Sequence, residues 1–181
     1  MKTRTHPIRR HRGFSLIESM TVLAVMAVTV GTVAPSFTAL RDVKRLEGAA
    51  AQIETELQFA RSLAVARNET VRFTFRNGSG AGCYVIHTGA PNACVCGAPG
   101  VPAQCSGSAE ALREVSFAAE DRLSIRTASG TFGFDPTRGT VTPTATLRLS
   151  APAGQTLHLV VNILGRVRSC TPNGVPGYKA C

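Results

Sequence analysis

The sequence predicts an α+β fold, one long N-terminal helix packed on a C-terminal domain of antiparallel β-sheet. Three observations carry that expectation. Ser19 to Leu40 runs without a single charged residue. Beyond it, Leu46, Ala50, Ile53, Leu57, Ala60 and Ala64 recur at steps of three and four, which places them on one face of a helix. From Thr70 onward the hydrophobic period changes from that of a helix to that of a strand.

The helix is expected over 14–67, with 14–40 apolar and 41–67 amphipathic. From Ser19 to Leu40 it would reach about 33 Å, close to the ~30 Å of a bilayer's hydrocarbon core. Gly31 and Pro35 fall inside it, and a proline in a helix interior kinks or locally melts it. Arg41, Asp42, Lys44, Arg45, Glu47, Glu54 and Glu56 fall mostly off the apolar face of the second half, and Asn68 can end the helix. Residues 68–181 read as one β domain. In Thr70–Arg76, Val71, Phe73 and Phe75 alternate inward against Thr70, Arg72, Thr74 and Arg76. Asn77-Gly78-Ser79-Gly80 is a turn, and 83–87 should return as the hairpin partner. Residues 88–108, rich in Gly, Pro, Ala and Cys, form a long cysteine-stapled loop. Strands follow near 112–117, 122–127, 131–134 and 145–150, and the most apolar, 157–163, is expected to be central.

The charges are distributed unevenly. Of the 20 basic residues, Lys2, Arg4, Arg9, Arg10 and Arg12 precede Gly13 with no acidic residue among them. The remainder carries 15 basic and 11 acidic residues, so the formal +9 of the whole chain overstates its character after residue 13. Glu18 is the lone carboxylate at the start of the apolar run. An ionised carboxylate in hydrocarbon is costly and marks a functional position. An ordinary secretory signal would place its small-residue cleavage site after the apolar core; here Gly13 comes before it.

Gly13-Phe14-Ser15-Leu16-Ile17-Glu18 resembles the type IV prepilin class 3 signal, usually Gly-Phe-Thr-Leu-Ile-Glu, with Ser15 in place of threonine. The resemblance implies a leader, 1–13, removed by a membrane-embedded prepilin peptidase cutting after Gly13, and N-methylation of the new terminus at Phe14. It implies that Glu18 neutralises the N-terminal amine of a neighbouring subunit, a sensible pairing because two buried opposite charges are tolerable only together. It also implies an inner-membrane, single-pass subunit with a periplasmic C-terminal domain, later part of a filament with other major and minor pilins. Phe59-Ala60-Arg61-Ser62-Leu63-Ala64-Val65-Ala66-Arg67 and Phe134-Asp135-Pro136-Thr137-Arg138-Gly139 are similar to segments of the GspH/FimT family of pilin-like proteins.

After Asp135 there is no acidic side chain, while Arg138, Arg148, Arg166, Arg168 and Lys179 follow. In Gly165-Arg166-Val167-Arg168 an extended backbone puts both arginines on one side, about 6.6 Å apart. Two guanidinium forks side by side suit phosphate oxygens. The same arginines also fit a plain solvated edge strand. The segment matches the Gly-Arg-x-Arg motif of the FimT branch, minor pilins that bind DNA in natural transformation. That match implies Arg166 and Arg168 as DNA contacts, with Arg148 and Lys179 in the same basic region. Contacts of this kind read the phosphate backbone of duplex DNA rather than its sequence. The alternatives are a GspH-like minor pseudopilin of type II secretion and a structural minor pilin that primes assembly.

Six cysteines fit an oxidising compartment. A Cys170–Cys181 disulfide would close a Pro- and Gly-rich C-terminal loop and bring Lys179 back toward Arg168, with Tyr178 beside them. Cys83, Cys94, Cys96 and Cys105 can pair in three ways; Cys94–Cys96 is the least suited, given its tight spacing. Their spacings are not the paired knuckles of a zinc site. His87 and His158 are isolated, no nucleophile motif surrounds any serine, and the acids form no recognisable pair. The sequence therefore gives no reason to expect an enzyme, a metal or another cofactor.

Overall fold

The structure, a computed structural model, describes residues 15–76, 82–97, 100–117, 120 and 122–181. Gly13 and Phe14 lie outside the described residues, as does the turn expected at Asn77–Gly80. The chain divides into two compact units, Met1–Ala39 and Leu40–Cys181. Helix α1, Leu16–Arg67, contributes to both.

In the first unit Ser15 caps α1, its Oγ accepting from the Glu18 backbone N–H at 3.2 Å. This satisfies one of the helix's orphan donors. It also starts the helix two residues later than expected. Leu16, Ile17, Met20, Leu23, Val25, Met26, Val28 and Val30 are all exposed, and the helix is long and apolar enough to cross a membrane. Its hydroxyls suit that solvent: Thr21 donates to the Glu18 carbonyl at 2.9 Å and Thr29 to Val25 at 3.0 Å, leaving neither unsatisfied.

In the second unit the expected face of α1 is the buried one. Leu46, Ala50, Ile53, Leu57, Ala60 and Ala64 are each no more than 2 % exposed. Glu56 departs from its expected outward place: it is buried beside Leu57, and its Oε1 accepts from Arg113 Nε at 3.1 Å. Position 56 lies three beyond Ile53 and four before Ala60, so its side chain borders the apolar stripe. Arg113 also lies over the Phe59 ring, 5.8 Å from its centre. Asn68, at φ 51°, ends the helix. The Asn68 N–H donates to the Val65 carbonyl and the Glu69 N–H to the Ala64 carbonyl, the two bonds of a Schellman cap.

Among the described residues eleven strands follow: β1 Val71–Arg76, β2 Cys83–His87, β3 Cys94–Val95, β4 Gln104–Cys105, β5 Ala111–Ser116, β6 Ser124–Thr127, β7 Thr131–Phe134, β8 Val141–Thr142, β9 Ala145–Ser150, β10 Thr156–Val161 and β11 Val167–Cys170. They form a five-stranded sheet ordered β5-β2-β1-β7-β8, a four-stranded sheet ordered β11-β10-β9-β6, and a β3–β4 ribbon. The pairings among these strands are all antiparallel. The core runs from the buried face of α1 to both sheets. Phe73, Phe75, Tyr84, Phe117, Phe132 and Phe134 pack within it as successive ring neighbours.

The stapled loop is more ordered than its composition suggests. Cys83–Cys96 and Cys94–Cys105 are disulfides, and β3–β4 is the ribbon between them. Cys83, Val85, Cys94 and Cys96 form a second buried cluster on the far side of β2, so β2 is buried along its whole length. Thr74, expected to face outward, is buried for this reason, its hydroxyl meeting His87 Nε2 at 2.8 Å and Thr131 Oγ1 at 2.9 Å. Strand β10 is central as expected but ends at Val161; Ile163 belongs to the following turn and is 60 % exposed.

Candidate nucleic-acid interface

The four-stranded sheet has one face in the core and one bare. Leu147 pairs with Leu159, Leu149 with Leu157 and Val161 with Val167. All but Val167 are fully buried, and Val167 packs against the same cluster. The residues between them must point the other way. Arg126 lies opposite Arg148, Arg148 opposite His158, and His158 opposite Cys170, a row across all four strands. In the next row Thr146 lies opposite Val160 and Val160 opposite Arg168. Arg126, Arg148, Arg166 and Arg168 are exposed. Among the described residues none of the four has an ion-pair partner. The outward positions of these strands hold no acidic residue: Ser124, Arg126, Thr146, Arg148, Ser150, Thr156, His158, Val160, Arg168 and Cys170.

Two arginines directly opposite across a strand pair repel each other and cost stability. Adjacent strands lie about 4.8 Å apart, so Arg126 and Arg148 present two unneutralised charges from directly opposed positions. His158, half-buried in the same row, is held below its usual pKa, first by burial and then by the Arg148 charge. Both causes favour its neutral form.

Arg166 and Arg168 follow a tightly built turn. The Gly165 N–H donates to the Asn162 carbonyl at 2.9 Å, and the Arg166 N–H donates to Asn162 Oδ1 at 2.9 Å. Gly165 sits at φ 71°, and a Cβ there would lie 2.7 Å from the Gly139 carbonyl oxygen and 3.3 Å from the Arg61 side chain. Only glycine fits both the backbone and the space. A Cβ on Gly139 would lie 2.8 Å from Arg61 Nε. Arg61 on α1 thus lies across two glycines, beside the start of the arginine strand. The helix end 59–67, the turn 134–139 and the segment 165–168 meet at this point. Asp135, the last acidic side chain of the sequence, is committed to the turn. One of its oxygens accepts from Thr137 Oγ1 at 2.7 Å and from the N–H groups of Thr137 and Arg138, and the first of these bonds leads in lowering its pKa.

The C-terminal loop is closed by the Cys170–Cys181 disulfide. The Thr171 N–H donates to the Lys179 carbonyl at 2.9 Å, which holds Lys179 three residues beyond Arg168 in the ladder, with its side chain exposed. Tyr178 faces elsewhere. It is half-buried against the core, and after burial the charges that raise its pKa are Glu47 and Glu54 of α1. His158 Nδ1, Cys170 Sγ and Cys181 Sγ lie within 4.8 Å of one another, a ligand-like spacing. With both sulfurs in the disulfide, neither is a thiolate, the form that binds metal.

The outward face gathers Arg148, Arg166 and Arg168, the expected contacts, and adds Arg126; Arg61 is half-buried against Gly139 and Gly165 at the turn before Arg166. Arg126 was not singled out in the strand expected at 122–127; its pairing with Arg148 is a property of the sheet. Glu18 is exposed near the start of α1, in the other unit.

Residues 49–165 match the family described as the type II transport protein GspH, and residues 8–34 match the prokaryotic N-terminal methylation motif. No curated protein matches the chain. Among solved structures, the minor pseudopilin EpsH from the type 2 secretion system of Vibrio cholerae aligns with a TM-score of 0.47 at 11 % identity, over 72 % of this chain and 99 % of that one.

Proposed function

This chain belongs to the family of the type II transport protein GspH, and on that premise we propose that it is a FimT-like minor pilin whose arginine face binds DNA for uptake. In this reading prepilin peptidase cuts after Gly13 and methylates Phe14. The apolar half of α1 anchors the subunit in the inner membrane, and Glu18 pairs with a neighbouring subunit's N-terminal amine in the filament. The β domain lies on the periplasmic side and then on the filament surface. Arg166, Arg168 and Arg148 contact phosphates, Arg126 joins them from β6, and Lys179 adds a contact from the C-terminal loop. The role is assembly and binding, with no reaction of its own.

The observation that carries this reading is the acid-free outward face of the four-stranded sheet, where Arg126 and Arg148 stand opposite each other with no ion-pair partner among the described residues. Such an arrangement weakens the fold, and a polyanion relieves it. Arginine–phosphate contacts position a duplex without reading its sequence, and each contact made adds close to one to the salt dependence of binding. A second reading, a minor pseudopilin of a type II secretion system, is favoured by the extent of the family match. It ends at Gly165, before the arginine pair, and is therefore indifferent to it.

The test uses the full chain in a neutral detergent, with random-sequence duplex DNA across a salt series. Wild type should bind, with affinity falling steeply as salt rises. Arg166→Ala with Arg168→Ala should weaken binding at least about tenfold and reduce the log–log salt slope by about two, with the thermal midpoint unchanged. Equal binding by both proteins, or binding by neither at low salt, favours the secretion reading.

A further inference from the structure

The turn that introduces the arginine pair carries an anomaly. Its two central positions are Ile163 and Leu164, 60 % and 53 % exposed, where turns usually place polar residues or glycine. The tip is fixed on every side. Asn162 N–H donates to the Arg166 carbonyl at 3.1 Å, Gly165 N–H to the Asn162 carbonyl at 2.9 Å, and Val141 N–H to the Ile163 carbonyl at 2.8 Å. Val160, 36 % exposed on the outward face, continues the apolar strip down β10. Around this tip stand Arg166, two residues on from Leu164; Arg168, opposite Val160; and Arg61, lying against Gly165. A rigid aliphatic knob with arginines on the strand that follows it has the chemistry of a groove wedge. Cations hold the two phosphate backbones while branched apolar side chains enter between base steps and unstack them.

Resting on the DNA reading above, we propose that Ile163 and Leu164 insert into the minor groove of the bound duplex and partly unstack a base step. The wedge and the arginines then have separable signatures. Phosphate contacts set the salt slope, while the wedge adds affinity that salt does not screen.

The experiment uses the full chain in neutral detergent and a 20-base-pair duplex carrying 2-aminopurine at an A·T-rich centre. Wild type should raise the 2-aminopurine fluorescence, as unstacking does. Ile163→Ser with Leu164→Ser should bind roughly tenfold more weakly, the loss of two aliphatic burials offset in part by the unstacking cost it no longer meets, with an unchanged salt slope and no fluorescence rise. Both positions are exposed in a turn, so the thermal midpoint should hold. Ile163→Leu with Leu164→Met, which keeps the knob apolar, should retain the signal. If the serine variant binds and unstacks as wild type does, the wedge is wrong and the arginine reading stands. If wild type binds no duplex, both are wrong. If the serine variant binds duplex normally but loses self-association by cross-linking, the tip is a subunit contact and the wedge falls.

Discussion

In the strands of the five-stranded sheet every arginine has a partner. Arg72 Nε donates to the Gly89 carbonyl at 2.7 Å, Arg76 to the Cys96 carbonyl at 3.4 Å, and Arg113 to Glu56 at 3.1 Å. In the strands of the four-stranded sheet Arg126, Arg148 and Arg168 have no ion-pair partner among the described residues. The first sheet has the core on one face and, over β2, the disulfide-stapled loop on the other; the second is covered on one. The same residue type therefore does two jobs. Under a cover an arginine satisfies buried acceptors, because an unpaired buried carbonyl or carboxylate is costly. On a bare face, opposite a like charge, it contributes nothing to the fold and is available to a polyanion.

The largest test of this contrast removes the cover. Cys83→Ala with Cys96→Ala opens a 13-residue loop over β2 and should cost about 3 kcal/mol in urea unfolding, with DNA affinity per folded molecule unchanged. A loss of affinity as large as the loss of stability would mean that the two sheets do not act independently. Next, Arg113→Ala leaves the Glu56 carboxylate buried without its cation. Since Arg113 is itself half exposed, water recovers part of the loss, and the expected cost is about 2 kcal/mol. The opposite sign is expected on the bare face: Arg148→Thr relieves the repulsion with Arg126 and should stabilise by a few tenths of a kcal/mol while weakening duplex binding. Destabilisation by Arg148→Thr comparable with that of Arg113→Ala would break the distinction.

The smallest effect is one of pH. His87 is held below its usual pKa, mainly by burial, with the Arg72 charge acting the same way. Its Nδ1 donates to the Thr88 carbonyl at 2.8 Å, so Nε2 accepts from Thr74. Because the unfolded chain takes up the proton more readily, the stability tied to neutral His87 is complete above about pH 6.5 and is lost as pH falls through the folded value. The thermal midpoint should therefore drop on acidification toward pH 5, and less so in His87→Gln. An equal drop in the variant would assign the effect to another group.

Much of the fold was legible because burial imposes period on sequence. The stripe from Leu46 to Ala64 and the alternation in 70–76 each left a pattern that only one element satisfies. The departures share a cause. Thr74, Glu56 and Ile163 were misplaced because their exposure depends on what packs over them from far away in the chain: the stapled loop over Thr74, Arg113 of β5 over Glu56, and for Ile163 the strand end that turns it away from the core. The candidate site divided in the same way. Gly165, Arg166 and Arg168 could be read from four consecutive residues, whereas Arg126 opposite Arg148, and Arg61 across Gly139 and Gly165, could not.

By itself the sequence determined the apolar anchor with Glu18 at its start, the helical face that enters the core, the alternating strands and the glycine-led arginine pair. Each is local, written in the spacing of residues within a few turns or one strand. The tertiary structure alone decided which arginines are committed and which are free, because that depends on sheet order and cover. A disulfide-stapled loop covers β2 of one sheet while the other keeps one open face, and on that face, among the described residues, cations without ion-pair partners stand near an exposed aliphatic tip.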